Sequence, residues 1–202
     1  MFSFGSAPIA STSVLDRLRI ELPVAAVSAP PLGTSPTRML PSYVTYFQRR
    51  SLWCWAAVAM SIARFYRPNA DDVTQCRIAN RTLGRSDCCF DGPGTEPCNV
   101  QAALSEALRI VGHYAGQQEA DVAEACQQID QQRPVGIFIR WSSTDGHFAS
   151  ICGYSDTPLG LEFVVADPRY GNRSVLASEL LDGYYRGSGT WTDLYLTSRE
   201  GI

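Results

Sequence analysis

From residue 52 to residue 66 the chain reads Leu-Trp-Cys-Trp-Ala-Ala-Val-Ala-Met-Ser-Ile-Ala-Arg-Phe-Tyr, apolar on nearly every side of a helix. A helix of that kind holds only when it is wrapped on most of its surface, and the small Ala56, Ala57, Ala59 and Ala63 let its neighbours come close. Pro68 sets its end, because the residue before a proline is pushed out of the α region. No apolar run in the chain approaches the ~18 residues that a membrane helix needs, so a membrane is not the expected surroundings. The chain must therefore build its own shell around this helix. With 202 residues, 45% of them apolar, it has enough material for one compact domain or two small lobes.

The rest of the pattern says what the shell is made of. Asp71 or Asp72 is placed to cap a second helix that runs to Leu83 and stops at Gly84. Asn99 is placed to cap a third, in which Val100, Ala103, Leu104, Ala107, Leu108 and Val111 recur at helical spacing. A fourth spans 120–131, ahead of Pro134. Then the texture changes. Residues 135–141, 147–154, 161–166 and 194–197 are rich in β-branched and aromatic side chains and are separated by turn-forming stretches, with a short helix at 177–181. Helices grouped ahead of strands predict an α+β fold with an antiparallel sheet, not alternating βαβ units. Residues 1–40 stand apart, with prolines among Ser, Ala and Thr and apolar helical spacing only at 15–22. They read as a flexible leader or arm, an export signal or a pro-segment, ahead of a globular domain at 41–202. A secretory signal is not recognisable, since no positive charge precedes an apolar stretch.

Seven cysteines cannot all pair within one chain. Cys54 opens the wrapped helix, where unpaired backbone N–H groups and the positive end of the helix dipole favour a thiolate. The alternative is a small buried hydrophobe. There are two histidines. His113, at the tail of the third helix, is expected to be exposed or to cap it. His147 opens a strand directly after the turn Thr144-Asp145-Gly146, where a rigid scaffold presents a reactive side chain. The next strand ends at Asp167-Pro168, and a hairpin between the two would bring Asp167 beside His147, where a carboxylate can hold an imidazole tautomer. Asp145 is the rival, but it lies too near His147 in sequence to fold back easily. Gln48 stands six residues ahead of Cys54, where its amide and the Cys54 backbone N–H could both donate to an oxyanion.

Gln48-x5-Cys54-Trp55-Ala56, Gly146-His147-Phe148 and Val165-Ala166-Asp167-Pro168, in that order, resemble the papain-like cysteine proteases. The run Trp53-Cys54-Trp55-Ala56-Ala57 and the Asp-Pro pair are more similar to a bacterial branch, which holds the avirulence-effector cysteine proteases of plant pathogens and relatives of the double-glycine leader peptidases. The likeness covers 43–198. It implies a papain-like fold in which a helical lobe carrying Cys54 packs on an antiparallel sheet lobe carrying His147 and Asp167. It further implies a cysteine endopeptidase with Cys54 as nucleophile, His147 as base and acid, Asp167 as orienting group and Gln48 at the oxyanion hole. No cofactor or metal is called for. The partners would be a protein or peptide substrate and a cognate inhibitor or immunity protein, and the setting a secreted bacterial effector or toxin. The same residue set also serves acyltransferases, deamidases and peptidoglycan amidases, and a non-enzymatic binding module on a retired protease scaffold is the remaining alternative.

Four further cysteines gather around one Gly- and Pro-rich loop: Cys76, Cys88, Cys89 and Cys98. Their spacing lacks the close ligand pairs of a zinc site, so disulfides are expected. Neighbouring Cys88 and Cys89 would strain to pair, which leaves one for Cys76 and the other for Cys98. Cys126 and Cys152 are either a third bridge or two buried thiols. A stapled chain points to folding or work outside a reducing cytosol, and the alternative is a cytosolic chain whose cysteines stay reduced. A net charge of −3 gives no reason to expect nucleic acid.

Overall fold

The computed structural model describes residues 37–90, 96–184 and 188–200. The expected helix at 15–22 and all of the leader up to residue 36 lie outside them. The wrapped helix is present as α1, Cys54–Tyr66, with eleven of its thirteen residues buried. It packs against α2 (Gln75–Leu83), α3 (Leu104–Val111) and one strand of a sheet. A short 3-10 turn, Glu96–Cys98, lies between α2 and α3.

Seven antiparallel strands make the sheet: β1 (Arg38–Met39), β2 (Tyr114–Glu119), β3 (Val135–Arg140), β4 (Gly146–Thr157), β5 (Gly160–Asp167), β6 (Gly171–Leu176) and β7 (Thr190–Thr197). Their order is β2-β7-β3-β4-β5-β6. The long β4 carries β3 as far as Ile151 and then β1 on Gly153 and Tyr154. Gly153 is required there: a Cβ would fall 2.5 Å from the Met39 sulfur and 2.7 Å from the Arg38 carbonyl. Thus Arg38 and Met39, counted from sequence with the leader, are part of the sheet, and the buried Leu40 after them donates its backbone N–H to the Cys152 carbonyl. Among the described residues two further helices, α4 (Val122–Asp130) and α5 (Ala177–Leu181), complete the α+β fold.

The core is continuous through α1, α3 and the inner face of the sheet. Trp53, Trp55, Ile62, Leu104, Leu108, Ile137, Ile139, Phe163 and Leu194 are all within 2% of full burial. Fully burying one such large side chain contributes about 1.5–3 kcal/mol. The α1 side therefore cannot be separated from the sheet without exposing most of what holds the molecule together.

Several elements depart from the sequence pattern for identifiable reasons. α2 is capped by Thr74, whose hydroxyl accepts from Arg77 N–H, rather than by Asp71 or Asp72. α3 begins at Leu104 and not beside Asn99, because the Asn99 side chain is engaged by Leu52 N–H ahead of α1 and the Val100 carbonyl by the Trp55 indole in its first turn. α4 starts after its Asp121 cap, two residues later than expected. β2 and β6 were not legible, since Tyr-Ala-Gly-Gln-Gln-Glu and Gly-Asn-Arg-Ser-Val-Leu lack clean alternation. Both are edge strands, held by their one neighbour and not by a two-sided core. His113, expected to be exposed or capping, is 2% exposed. Its Nδ1 bonds the Ser198 carbonyl at 2.9 Å, its ring lies 4.7 Å from that of Tyr66, and burial keeps its pKa low.

Candidate active site

Two cysteine pairs close around the α2–α3 connection: Cys76 with Cys89, and Cys88 with Cys98. Asp87 lies with Cys88 and Cys98 within 4.8 Å, but the two sulfurs are bonded to each other and offer no thiolate ligand. Cys126 and Cys152 are not bridged. Burial pushes the Cys152 thiol up to about 12 and Cys126 to about 11, which keeps both protonated and unreactive at neutral pH. Cys54 is the remaining free cysteine among the described residues.

Cys54 is the first residue of α1. The preceding Trp53 offers no side-chain cap, and no acidic residue lies in the first turn. A helix start left without a cap keeps N–H donors for another acceptor. The thiol interacts with the ring of His147, the second residue of β4, and acts to raise that ring's pKa. Gly146 allows that strand start, because a Cβ there would meet the Phe138 ring and stand 2.8 Å from the Ile139 carbonyl.

On its far side His147 Nε2 bonds Asp167 Oδ1 at 2.8 Å, leaving Nδ1 for the thiol. The hairpin places Asp167 as expected: β4 and β5 pair Ser150 with Ala166, one residue before Asp167. His147 is 3% exposed and Asp167 fully buried. Besides His147, the carboxylate accepts from the backbone N–H of Arg169 (2.7 Å) and of Tyr170 (3.2 Å), and from the Tyr184 hydroxyl (2.8 Å). Burial acts to raise its pKa, but the bonds from His147, Arg169 and Tyr184 outweigh it and hold the group below the usual carboxylate value. Burial likewise acts against a charged His147. The hydrogen bond to Asp167, with the neighbouring Cys54, prevails and pushes the ring up to about 9, which favours an imidazolium at neutral pH.

Two partners of this line escaped the sequence pattern. The Trp141 ring stacks on His147 at 5.5 Å between centroids and 7° between planes. An aromatic just past the strand that precedes the His147 turn was the available sign. Tyr184, in a Gly-Tyr-Tyr stretch, gave none. Asp145, the rival to Asp167, is exposed, and its carboxylate bonds the Gln101 amide at 3.3 Å. Gln48 sits in the segment leading to α1, and its backbone N–H reaches the Pro168 carbonyl at 2.9 Å, so it lies beside the end of β5. Its side-chain Nε2 donates to the carbonyls of Arg50 (2.9 Å) and Ser51 (2.7 Å), while Oε1 is buried without a partner. Both amide protons are thus directed into its own loop, not toward Cys54.

Beside the thiol lies a pocket of about 310 Å³ lined by Cys54, Trp55, Gln101, Phe138, Gly146 and Phe148. A larger cavity of about 620 Å³, with Arg67, Arg77 and Arg81 in its walls, touches none of the reactive residues. The chemistry, not the volume, identifies the site. No helix among the described residues is long and apolar enough to cross a membrane.

The profile of the Peptidase_C39 like family matches residues 42–191, well over half of the chain. No curated protein matches. Among solved structures, one described as a C39-like peptidase from Bacillus anthracis superposes with a TM-score of 0.54 at 12% identity, covering 82% of this chain and 99% of that one. The mite allergens Blo t 1 and Der p 1 are represented by a match of TM-score 0.46 at 12% identity, over 86% of this chain and 74% of that one. The Pseudomonas avirulence protein AvrPphB matches at 0.37 and 12% identity, over 79% and 99%. The last two are too distant to carry an argument.

Proposed function

The chain belongs to the Peptidase_C39 like family and is a peptidase of the papain-like cysteine type, and from that premise we propose that Cys54, His147 and Asp167 are its nucleophile, its base and acid, and its orienting group. One observation carries this reading: at an uncapped helix start the Cys54 thiol interacts with the ring of His147, and that ring is hydrogen-bonded to the buried Asp167 carboxylate at 2.8 Å. Cys54 and His147 then share one proton as a thiolate–imidazolium pair. The thiolate adds to a peptide carbonyl and opens it to an oxyanion. The Cys54 backbone N–H meets that oxyanion. Gln48 joins once its amide turns from the Arg50 and Ser51 carbonyls, and loss of one such donor costs on the order of 10²–10³ in turnover. His147 gives its proton to the departing amine, and water, deprotonated by the same ring, releases the acyl group from sulfur.

The substrate on this reading is a protein or peptide lying along the Trp55–Phe138–Phe148 pocket. The two disulfides support work outside a reducing cytosol, as an enzyme exported from a bacterium. The effector or toxin role, and the leader role of the residues ahead of Arg38, are read from the sequence. The test is labelling with an epoxysuccinyl inhibitor followed by peptide mapping, with mass spectrometry of candidate substrates. We expect Cys54 labelled far faster than Cys126 or Cys152 and chain cleavage abolished by Cys54→Ala. Equal labelling of the three thiols overturns the assignment. Side-chain deamidation or group addition without cleavage would move the same residues to an amidase or acyltransferase reaction.

A further inference from the structure

The residues on either side of Cys54 are held by a short segment that is distant in sequence. Trp53 donates its indole N–H to the Cys98 carbonyl at 2.6 Å, and Trp55 donates its own to the Val100 carbonyl at 3.0 Å. Asn99, between them, accepts from the Leu52 backbone N–H at 3.0 Å and donates to the Ser51 hydroxyl at 2.9 Å. Four hydrogen bonds from residues 98–100 therefore grip 51, 52, 53 and 55, the turn that sets where the Cys54 sulfur points. Nothing in the pattern of residues 98–103 makes that segment rigid by itself, since α3 begins only at Leu104. Its anchor is covalent. Cys98 is fully buried and bonded to Cys88, whose backbone N–H is fixed on the Asn80 side chain of α2 at 2.8 Å. The adjacent Cys89 is bonded to Cys76 of the same helix.

We propose that residues 98–100 are the positioning element of the nucleophile and that the Cys88–Cys98 disulfide keeps them in place, so that the site is competent only while that bridge is closed. The proposal rests on the peptidase reading and adds its regulation. A dithiol reductant opens the bridge by thiol–disulfide exchange. The Cys88–Cys98 S–S bond takes up two electrons and two protons to give two thiols, and the dithiol leaves as its cyclic disulfide. Cys98 and Asn99 are then tied to the fold by packing and hydrogen bonds without a covalent anchor, and the turn before Cys54 loses its fixed support. A displacement of ~1 Å at a reacting atom costs about 10²-fold in rate. The enzyme thus needs its nucleophile reduced and its clamp oxidised at once, and a strongly reducing compartment switches it off.

The test measures second-order labelling of Cys54 by an epoxysuccinyl inhibitor, mapped by mass spectrometry, in the full chain. It compares wild type, Cys88→Ser/Cys98→Ser, Asn99→Ala and, as control, Cys126→Ser. We expect Cys126→Ser to match wild type, Asn99→Ala to label at least about tenfold more slowly with both disulfides intact, and the double variant to be slower still. Circular dichroism and a thermal melt identify the variants that fold. In parallel, wild type is titrated with dithiothreitol, and Cys54 reactivity is plotted against the fraction of Cys88–Cys98 reduced. The two should fall together. Wild-type labelling rates in folded Asn99→Ala, or undiminished rates after full reduction of the bridge, overturn the clamp and leave the peptidase reading standing. Slow Cys54 labelling in the untreated wild type overturns the peptidase reading itself, and the clamp with it.

Discussion

Replacing Asp167 by asparagine isolates the role of its charge. In Asp167→Asn the side-chain amide oxygen can still accept from His147 Nε2 and from the Arg169 and Tyr170 N–H groups, so the shape of the line survives. The negative charge does not. In the wild type that carboxylate is the foremost influence opposing burial of a charged ring and helps carry His147 to about 9. An opposite charge at this distance shifts a pKa by about 1–3, so the ring in the variant should titrate at roughly 6–8. A ring that drops from 9 to ~7 goes from about nine-tenths to one-tenth charged at pH 8, a loss of about tenfold in the imidazolium form. At pH 6 most of it remains charged. The assay is inactivation by an epoxysuccinyl inhibitor from pH 5 to 10, because opening the epoxide needs the proton that imidazolium supplies. The alkaline limb should move from near pH 9 to near pH 7 in Asp167→Asn, with a smaller loss at pH 6. An alkaline limb at the same pH in both proteins would refute the claim that Asp167 keeps His147 charged.

Stability should follow the same two groups. The His147 pKa is raised above its unfolded value of ~6.5, so its contribution is full below that pH and is lost as pH rises through about 9. The lowered Asp167 value contributes above the ordinary carboxylate range and is lost in acid. Thermal melts across pH 4–10 should therefore be highest between, and a midpoint that climbs from pH 7 to 9 would contradict this. Gly146→Ala forces a Cβ against Phe138 and the Ile139 carbonyl and should destabilise by about 1–3 kcal/mol, read as a lower denaturant midpoint with unchanged slope. Trp141→Ala removes the ring stacked on His147, a contact worth about 0.5–1.5 kcal/mol beyond its buried area, and should lower the Cys54 labelling rate up to about tenfold. Tyr184→Phe takes one donor from a buried carboxylate, about 1.5–3 kcal/mol. It should move the acid limb of the labelling profile to higher pH, and an unmoved limb would show that the hydroxyl is idle.

What the sequence showed and what it hid divide along the range of the interactions. α1 was legible because its surroundings are apolar on all sides and that demand is written in consecutive residues. Asp167 was legible because a hairpin converts sequence distance into spatial distance by a fixed rule, and the register of β4 and β5 obeys it. Steric exclusion kept Cys88 from Cys89 and gave one of them to Cys76 and the other to Cys98; that Cys89 goes to Cys76 and Cys88 to Cys98 comes from the structure. Asn99 misled, since an Asn ahead of an apolar repeat is a good cap in isolation, whereas here its amide is claimed by Ser51 and Leu52. His113 misled in the same way. A polar residue at a helix tail faces water unless another element covers it, and the cover, β7 running on to Ser198, comes from the far end of the chain. Gln48 was placed correctly in the approach to Cys54, but the direction of its amide depends on carbonyls two and three residues along a loop, which no spacing rule reports.

The reactive groups sit on two separate supports, and the connection between them explains how their distance is kept. Cys54 belongs to the helical side and His147 and Asp167 to the sheet, so any hinge between these would part the thiol from the imidazole. The segment ahead of α1 prevents it. Tyr43 shares a 2.6 Å hydrogen bond with Ser150 of β4, Thr45 bonds Asn172 of β6, and Gln48 N–H reaches the Pro168 carbonyl directly after Asp167. The same segment returns to the helices through Tyr46 N–H on the Ser61 hydroxyl of α1 and Arg49 N–H on the Gln75 side chain of α2. Each such bond is worth about 0.5–1.5 kcal/mol, modest singly, yet together they tie both sides at the level of the reacting atoms. Segment 43–49 therefore serves both site and core: Tyr43 packs in the core, while the directional hydrogen bonds of the segment fix the position of helix against sheet more narrowly than non-directional apolar contact does.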